Sequence, residues 1–239
     1  MKDKTFFNLN SIFKSSEGEG IFIGKPQVFV RFQGCKIGCF NCDSKNTWSF
    51  QNNKRLNVKE VLQEILELSS GIKGHNLKRV SITGGDPLDE KNRHHTLLLI
   101  KELKKENIFV NIEVAGNKLD KEIFDLVDFI SFDVKTPSTG VLFSTSLFEN
   151  FLIHYSHKSQ IKSVIETEKD FFFSLDIFNI FENKLSNTPW CITPSYKPNE
   201  KLPLKRILDI KKLNESYGGF FQMIGQQHKW FFGPNKDNV

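Results

Sequence analysis

Apolar and polar positions alternate along this chain with two periods that replace each other in turn. Runs rich in β-branched and aromatic residues at 27–33 (QVFVRFQ), 79–83, 108–113 and 129–133 have the length and composition of strands. Between them the spacing widens to that of a helix. Over 58–68, Val61, Leu62, Ile65 and Leu66 share one face behind Asn57, which can cap the first turn. Over 96–106, Leu99, Ile100 and Leu103 repeat the interval. A short helix is expected over 121–127, and farther on strands over 160–165, 190–193 and 220–223 are separated by helices over 171–185 and 204–215. This alternation predicts βα units on a mainly parallel sheet, an α/β fold. No stretch rich in Pro, Ser or Gly interrupts the pattern, so a single domain over 1–239 is expected.

In such sheets ligand-binding residues collect at the carboxyl ends of the strands. The polar segments of this chain sit there. A cysteine loop follows the first predicted strand, TGGDP (Thr83 to Pro87) the second, EVAGN from Glu113 the third, and DVKTP from Asp133 the fourth. One active-site face is the expectation.

Composition narrows the setting. No apolar run approaches the roughly 18 residues a membrane-spanning helix needs, and the N-terminal stretch lacks the basic-then-apolar order of a secretory signal. A cytoplasmic protein without membrane contact is expected. The net charge is +5, but acidic residues are interleaved with basic ones and no basic cluster with aromatic interleaving stands out, so direct nucleic-acid binding is not expected. The 24 phenylalanines and abundant Lys and Asn read as compositional bias.

Of the 4 cysteines, Cys35, Cys39 and Cys42 share one short loop, whereas Cys191 lies far away in an apolar strand and reads as a small buried hydrophobe. In a reducing compartment such clustering favours a metal site over disulfides. Thiolates suit iron–sulfur clusters and zinc alike, and a structural zinc would want a fourth ligand. His75, His94 or His95 could supply one, although none stands at a usual finger spacing. With three protein ligands on a cubane, the fourth iron stays open for chemistry.

CxxxCxxC directly after a strand of a βα-repeat protein resembles the radical S-adenosylmethionine (SAM) superfamily. That resemblance implies a partial (β/α) barrel, a 4Fe–4S cluster on Cys35, Cys39 and Cys42, and SAM chelated at the open iron. Reductive cleavage of SAM then gives a 5′-deoxyadenosyl radical that abstracts hydrogen from substrate. TGGDP resembles the superfamily's GGEP turn, which binds the amino end of SAM.

The segment Ile12 to Gly20 (IFKSSEGEG), Arg31 within FVRF, the ending Cys42-Asp43-Ser44, KTPSTG from Lys135 and the late Gln227-His228-Lys229 together resemble the 7-carboxy-7-deazaguanine synthase family. The resemblance implies conversion of 6-carboxy-5,6,7,8-tetrahydropterin to 7-carboxy-7-deazaguanine with loss of ammonia, on the way to the 7-deazapurines of queuosine. By matching position, Ser16, Glu17, Gly18, Arg31 and Thr83 would contact the pterin, with Arg31 on its carboxylate, and Ser44 would contact Mg2+. Asn41, Asp43, Gly85, Asp133, Val134 and Lys135 would contact SAM, and Glu113 could line the same pocket. No protein side chain is assigned as catalyst. The resemblance further implies a homodimer, and a flavodoxin or ferredoxin is the expected electron donor.

Departures fall inside the motifs. Glu17 stands where the family has Gln, Asp86 replaces the Glu of GGEP, EVAGN replaces ETNG, Asn41 takes a place commonly aromatic, and SFDVK replaces LSPK. A glycyl-radical-enzyme activase of the same superfamily and a non-enzymatic metal-binding module are the competing readings.

Overall fold

The computed structural model describes residues 6–51, 54–185, 187–236 and 238. Residues 1–5, on which part of the N-terminal reading rests, lie outside them. The sheet starts with a strand the sequence reading does not expect, β1 (Phe7–Ser16), which pairs antiparallel with β2 (Pro26–Phe32). A short β3 (Lys54–Leu56) pairs on the other side of β1. From β2 onward the sheet is parallel, through β4 (Arg79–Gly84), β5 (Phe109–Val114), β6 (Phe129–Asp133), β7 (Ser159–Ile165), β8 (Trp190–Pro194) and β9 (Gln222–Met223). Among the described residues the nine strands stand in the order β3-β1-β2-β4-β5-β6-β7-β8-β9.

Helices α1 (Val58–Ser69), α2 (Arg93–Lys105), α3 (Lys121–Leu126), α5 (Glu168–Leu185) and α6 (Leu204–Ser216) match the predicted ones to within a few residues. Local chemistry explains their starts. Asn57 accepts the backbone N–H of Lys59 and Glu60, while the Glu60 carboxylate accepts the N–H of Asn57, closing a capping box. Two further helices, α4 (Thr145–Tyr155) and α7 (Gln227–Phe232), lie where none is expected. In α4, Phe148, Phe151, Leu152 and Tyr155 are buried at helical spacing.

The two faces of the parallel strands differ in polarity. Apolar residues such as Val80, Ile82, Val110, Ile112, Ile130, Phe132 and Ile161 join the hydrophobic core. Their neighbours Ser81, Asn111, Ser131 and Gln160 are buried too, but they are polar and bond to one another. Register aligns the polar positions across strands: Ser81 stands beside Asn111, Glu113 beside Ser131, and Ser131 beside Gln160. One face therefore holds the helices and the other forms a polar interior.

The sheet curls around that interior. The loop after β1 reaches across it, where the Ile21 N–H donates to Gln160 of β7 at 2.7 Å and Phe22 packs on Phe109 and Phe129 at the starts of β5 and β6. The residues 17–25 thus form a floor at the amino ends of the strands of a partial barrel.

Candidate active site

The cysteine loop hangs from the end of β2 and is tied on three sides. The Gly34 N–H donates to Thr47 O at 2.6 Å, Cys35 N–H to Trp48 O at 3.2 Å, and Phe40 N–H to Thr139 O at 2.9 Å. Two glycines let the TGGDP turn close against it. A Cβ on Gly85 would lie 2.3 Å from the Gly34 carbonyl oxygen, and one on Gly84 would lie 2.3 Å from the Phe32 nitrogen. With the Cβ absent, Gly85 N–H reaches Phe32 O and Asp86 N–H reaches Gly34 O, each at 2.9 Å. The Asn92 amide joins both segments by donating to Gln33 O and Asp86 O. These turn glycines are required first by the protein's own backbone.

Below the cysteines opens a cavity of about 900 Å³. Its wall carries every residue that the family resemblance singles out: Ser16, Glu17, Gly18, Arg31, Asn41, Asp43, Ser44, Thr83, Gly85, Asp133, Val134, Lys135 and the three cysteines. Arg31 and Thr83 stand side by side in register. The Arg31 guanidinium donates to Ser44 Oγ at 3.2 Å and lies over the Phe13 ring, and among the described residues it makes no carboxylate ion pair. Thr83 and Ser81 each donate a hydroxyl to Glu113, at 3.0 and 3.1 Å. Gly18 leaves room for His228, whose Nδ1 would be 2.2 Å from a Cβ there.

Several wall residues carry no signal in the motifs. Lys162, on β7, pairs with Glu19 at 2.7 Å, and Gln226 donates to the other Glu19 oxygen at 2.7 Å. Glu17 and Glu19 are therefore part of a buried floor and not a solvated acidic loop. Burial would raise the Glu19 carboxyl, but Lys162 and His228 outweigh it and hold the acid well below its usual range. Glu17 is the opposite case: burial and then the nearby Glu113 push it up to about 7, against the pull of Lys162 and Gln27. His228 arrives from the C-terminal segment, and the Gln227 N–H donates to Gly18 O at 3.0 Å.

The donor set suits a cluster better than a single ion. Among the described residues, the trio whose ligand atoms lie within 4.8 Å of one another is Glu19, Asp43 and His228, not the three cysteines. One zinc at about 2.3 Å from each sulfur would draw three thiolates closer than that, whereas the corners of a cubane stand wider. Burial pushes the Cys35 and Cys39 thiols up, and at Cys39 the Lys135 ammonium works against it, favouring the thiolate that iron needs. Asn41, on the wall of the same cavity, has a buried side-chain nitrogen with no hydrogen-bond partner. The Cys191 thiol, buried in β8 outside this cavity, is pushed up to about 12 by its burial.

Comparison with known proteins bears on the family and the fold. The profile of the 4Fe-4S single cluster domain family matches residues 16–137. The 7-carboxy-7-deazaguanine synthase of Clostridium acetobutylicum is 32% identical over 231 residues, covering 95% of this chain and 96% of that protein. The enzyme of the same name from Thermoplasma acidophilum is 29% identical over 94% of this chain and 97% of its own. Among solved structures, QueE from Escherichia coli superimposes with a TM-score of 0.66 at 20% identity, over 93% of this chain and 95% of that one, which establishes the shared fold. With a sequence match that spans both proteins almost end to end, the chain belongs to the 7-carboxy-7-deazaguanine synthase family.

Proposed function

We infer that this chain performs the family reaction, the ring contraction of 6-carboxy-5,6,7,8-tetrahydropterin to 7-carboxy-7-deazaguanine with release of ammonia. The observation that carries the reading is Arg31. Its planar guanidinium lines the cavity beside the cysteine loop, makes no ion pair with a carboxylate among the described residues, and matches a substrate carboxylate. Cys35, Cys39 and Cys42 would hold the cluster, and Asn41, Asp43, Gly85 and the Asp133–Lys135 strand end would hold SAM. Together these groups supply hydrogen-atom abstraction when bound.

The remaining steps belong to the chain's own side chains. Arg31 orients the substrate, while Thr83, fixed by its bond to Glu113, offers its hydroxyl oxygen on the adjacent strand. The Glu17, Glu19 and Glu113 carboxylates and the Lys162 ammonium give the floor the alternating charges that a pterin's ring nitrogens and carbonyl can pair with. Ser44 and Asp43, bonded to each other at 3.0 Å, offer a hard cation such as Mg2+ the oxygen donors it prefers. A homodimer, a flavodoxin or ferredoxin donor and a cytoplasmic setting complete the reading. Among the described residues no helix is long and apolar enough to cross a membrane.

The test is turnover. Anaerobically reconstituted, reduced protein given SAM, Mg2+ and carboxytetrahydropterin yields the deazaguanine by its ultraviolet spectrum and mass. SAM cleavage without that product would overturn the reading. Arg31→Lys keeps the charge but loses the fork, and raises KM about tenfold or more.

A further inference from the structure

Beneath the floor runs a chain of buried polar groups whose direction is fixed at both ends. Glu17 Oε1 accepts the N–H of Gly18 at 3.0 Å and of Glu19 at 3.3 Å, and its Oε2 accepts Gln27 Nε2 at 2.8 Å. The Gln27 amide oxygen in turn accepts Arg79 Nε at 2.8 Å. Gln27 is fully buried. Arg79 lies outside the cavity wall, sandwiched between the rings of Phe22 and Phe109 at 3.9 and 4.4 Å. It makes no carboxylate ion pair among the described residues, and its Nη2 is buried without a hydrogen-bond partner.

An arginine only donates, so the Gln27 oxygen must face it and the Gln27 nitrogen must face residue 17. Residue 17 therefore receives three N–H donors, two on one oxygen and one on the other. A carboxyl group accepts all three, ionised or protonated, because even its hydroxyl oxygen keeps a lone pair that an amide nitrogen lacks. The family's Gln cannot: with its nitrogen toward Gln27 two donors collide, and with its nitrogen toward Gly18 and Glu19 the backbone donors are orphaned. Flipping Gln27 only moves the collision to Arg79.

We propose that Arg79 is a positioning residue of this active site, which through Gln27 requires a carboxyl group rather than an amide at position 17 and holds the Gly18–Glu19 backbone so that Glu19 stays on Lys162. The departure Glu17 and the remote Arg79 are then one coupled pair. The charged groups that act on Glu17 are Glu113 from β5, Lys162 from β7 and Glu19 from its own loop, while Asp128, held by Lys104, acts on Arg79. None of these substitutes for Gln27 as the link.

The proposal uses pterin turnover as one readout and so rests on the function inferred above; a second readout, thermal unfolding, does not depend on it. Glu17→Gln is expected to raise the pterin KM about tenfold with a smaller change in kcat, the cost of one unsatisfied buried donor. Arg79→Gln places an amide where the Arg79 Nε stood, able to turn either way. The double variant E17Q/R79Q is therefore expected within about threefold of wild type, with recovery of the unfolding midpoint lost in E17Q. Gln27→Met cuts the link and makes Arg79→Gln silent in its background. A double variant as impaired as E17Q or worse, or additive losses of Q27M and R79Q, would overturn the proposal. Coupling in unfolding without pterin turnover in any variant would leave the relay standing and fail the substrate reading instead.

Discussion

The contact between Gly85 and the base of the cysteine loop makes the sharpest prediction about this fold. In Gly85→Ala the new methyl would stand 2.3 Å from Gly34 O and 2.6 Å from Gly34 C, both backbone atoms beside Cys35, so no side chain can swing away. The turn must lift, stretching the bonds from Gly85 N–H to Phe32 O and from Asp86 N–H to Gly34 O. Two backbone hydrogen bonds at about 1 kcal/mol each, with about 1–3 kcal/mol for overpacking, give about 3–5 kcal/mol. That is a large part of the roughly 5–15 kcal/mol that stabilises a domain. The matched control is Gly38→Ala in the same loop, where φ is +72 but nothing lies within 4 Å, so the cost is only the about 1–2 kcal/mol of a left-handed backbone. Urea unfolding midpoints measure the difference, and iron content after anaerobic reconstitution shows whether the displaced loop still gathers its cluster. If G85A unfolds like G38A and binds as much iron, the close approach does not support the loop as argued.

Further outcomes follow from the floor. Glu17, raised to about 7 by burial and by Glu113, binds a proton more tightly in the folded than in the unfolded chain. Its contribution to stability is full below the ordinary Glu range and falls as pH rises to about 7, by at most about 1.4 kcal/mol per unit. The difference in melting temperature between wild type and E17Q, followed from pH 5 to 8, should show that slope, and a constant difference would contradict it. Lys162→Met strands the largely buried Glu19 and is expected to destabilise by about 3–5 kcal/mol in denaturant titration, whereas a loss below 1 kcal/mol would mean that water reaches the carboxylate. Asn57→Ala removes the acceptor for two N–H groups at the start of α1 and should cost about 1 kcal/mol without affecting iron content.

The sequence by itself determined the elements and the top of the site. Strand and helix periods place β2, β4, β5, β6 and the helices between them, because those segments answer to local spacing and to caps such as Asn57. The cysteine loop, TGGDP, Glu113 and Asp133–Lys135 fall at strand ends because connections in a parallel sheet put them there, and the cavity wall includes residues of each. β1 escapes the same reading. Asn8, Asn10 and Lys14 break its apolar run, and its register against β2 shifts between Leu9 and Ser11.

Only the tertiary structure decided the floor. Lys162, Gln160, Gln226 and Arg79 are ordinary polar positions in strands and tail, with no motif to mark them, and His228, though part of a resembling segment, carries no sign there that it packs against Gly18. They acquire meaning when the sheet curls far enough for the loop after β1 to meet β7 and the C-terminal segment. A polar side chain in a strand signals solvent in the local pattern. Here the same alternation points into a closed polar interior, and the difference lies in what covers that face: distant segments of the chain, which local spacing cannot see.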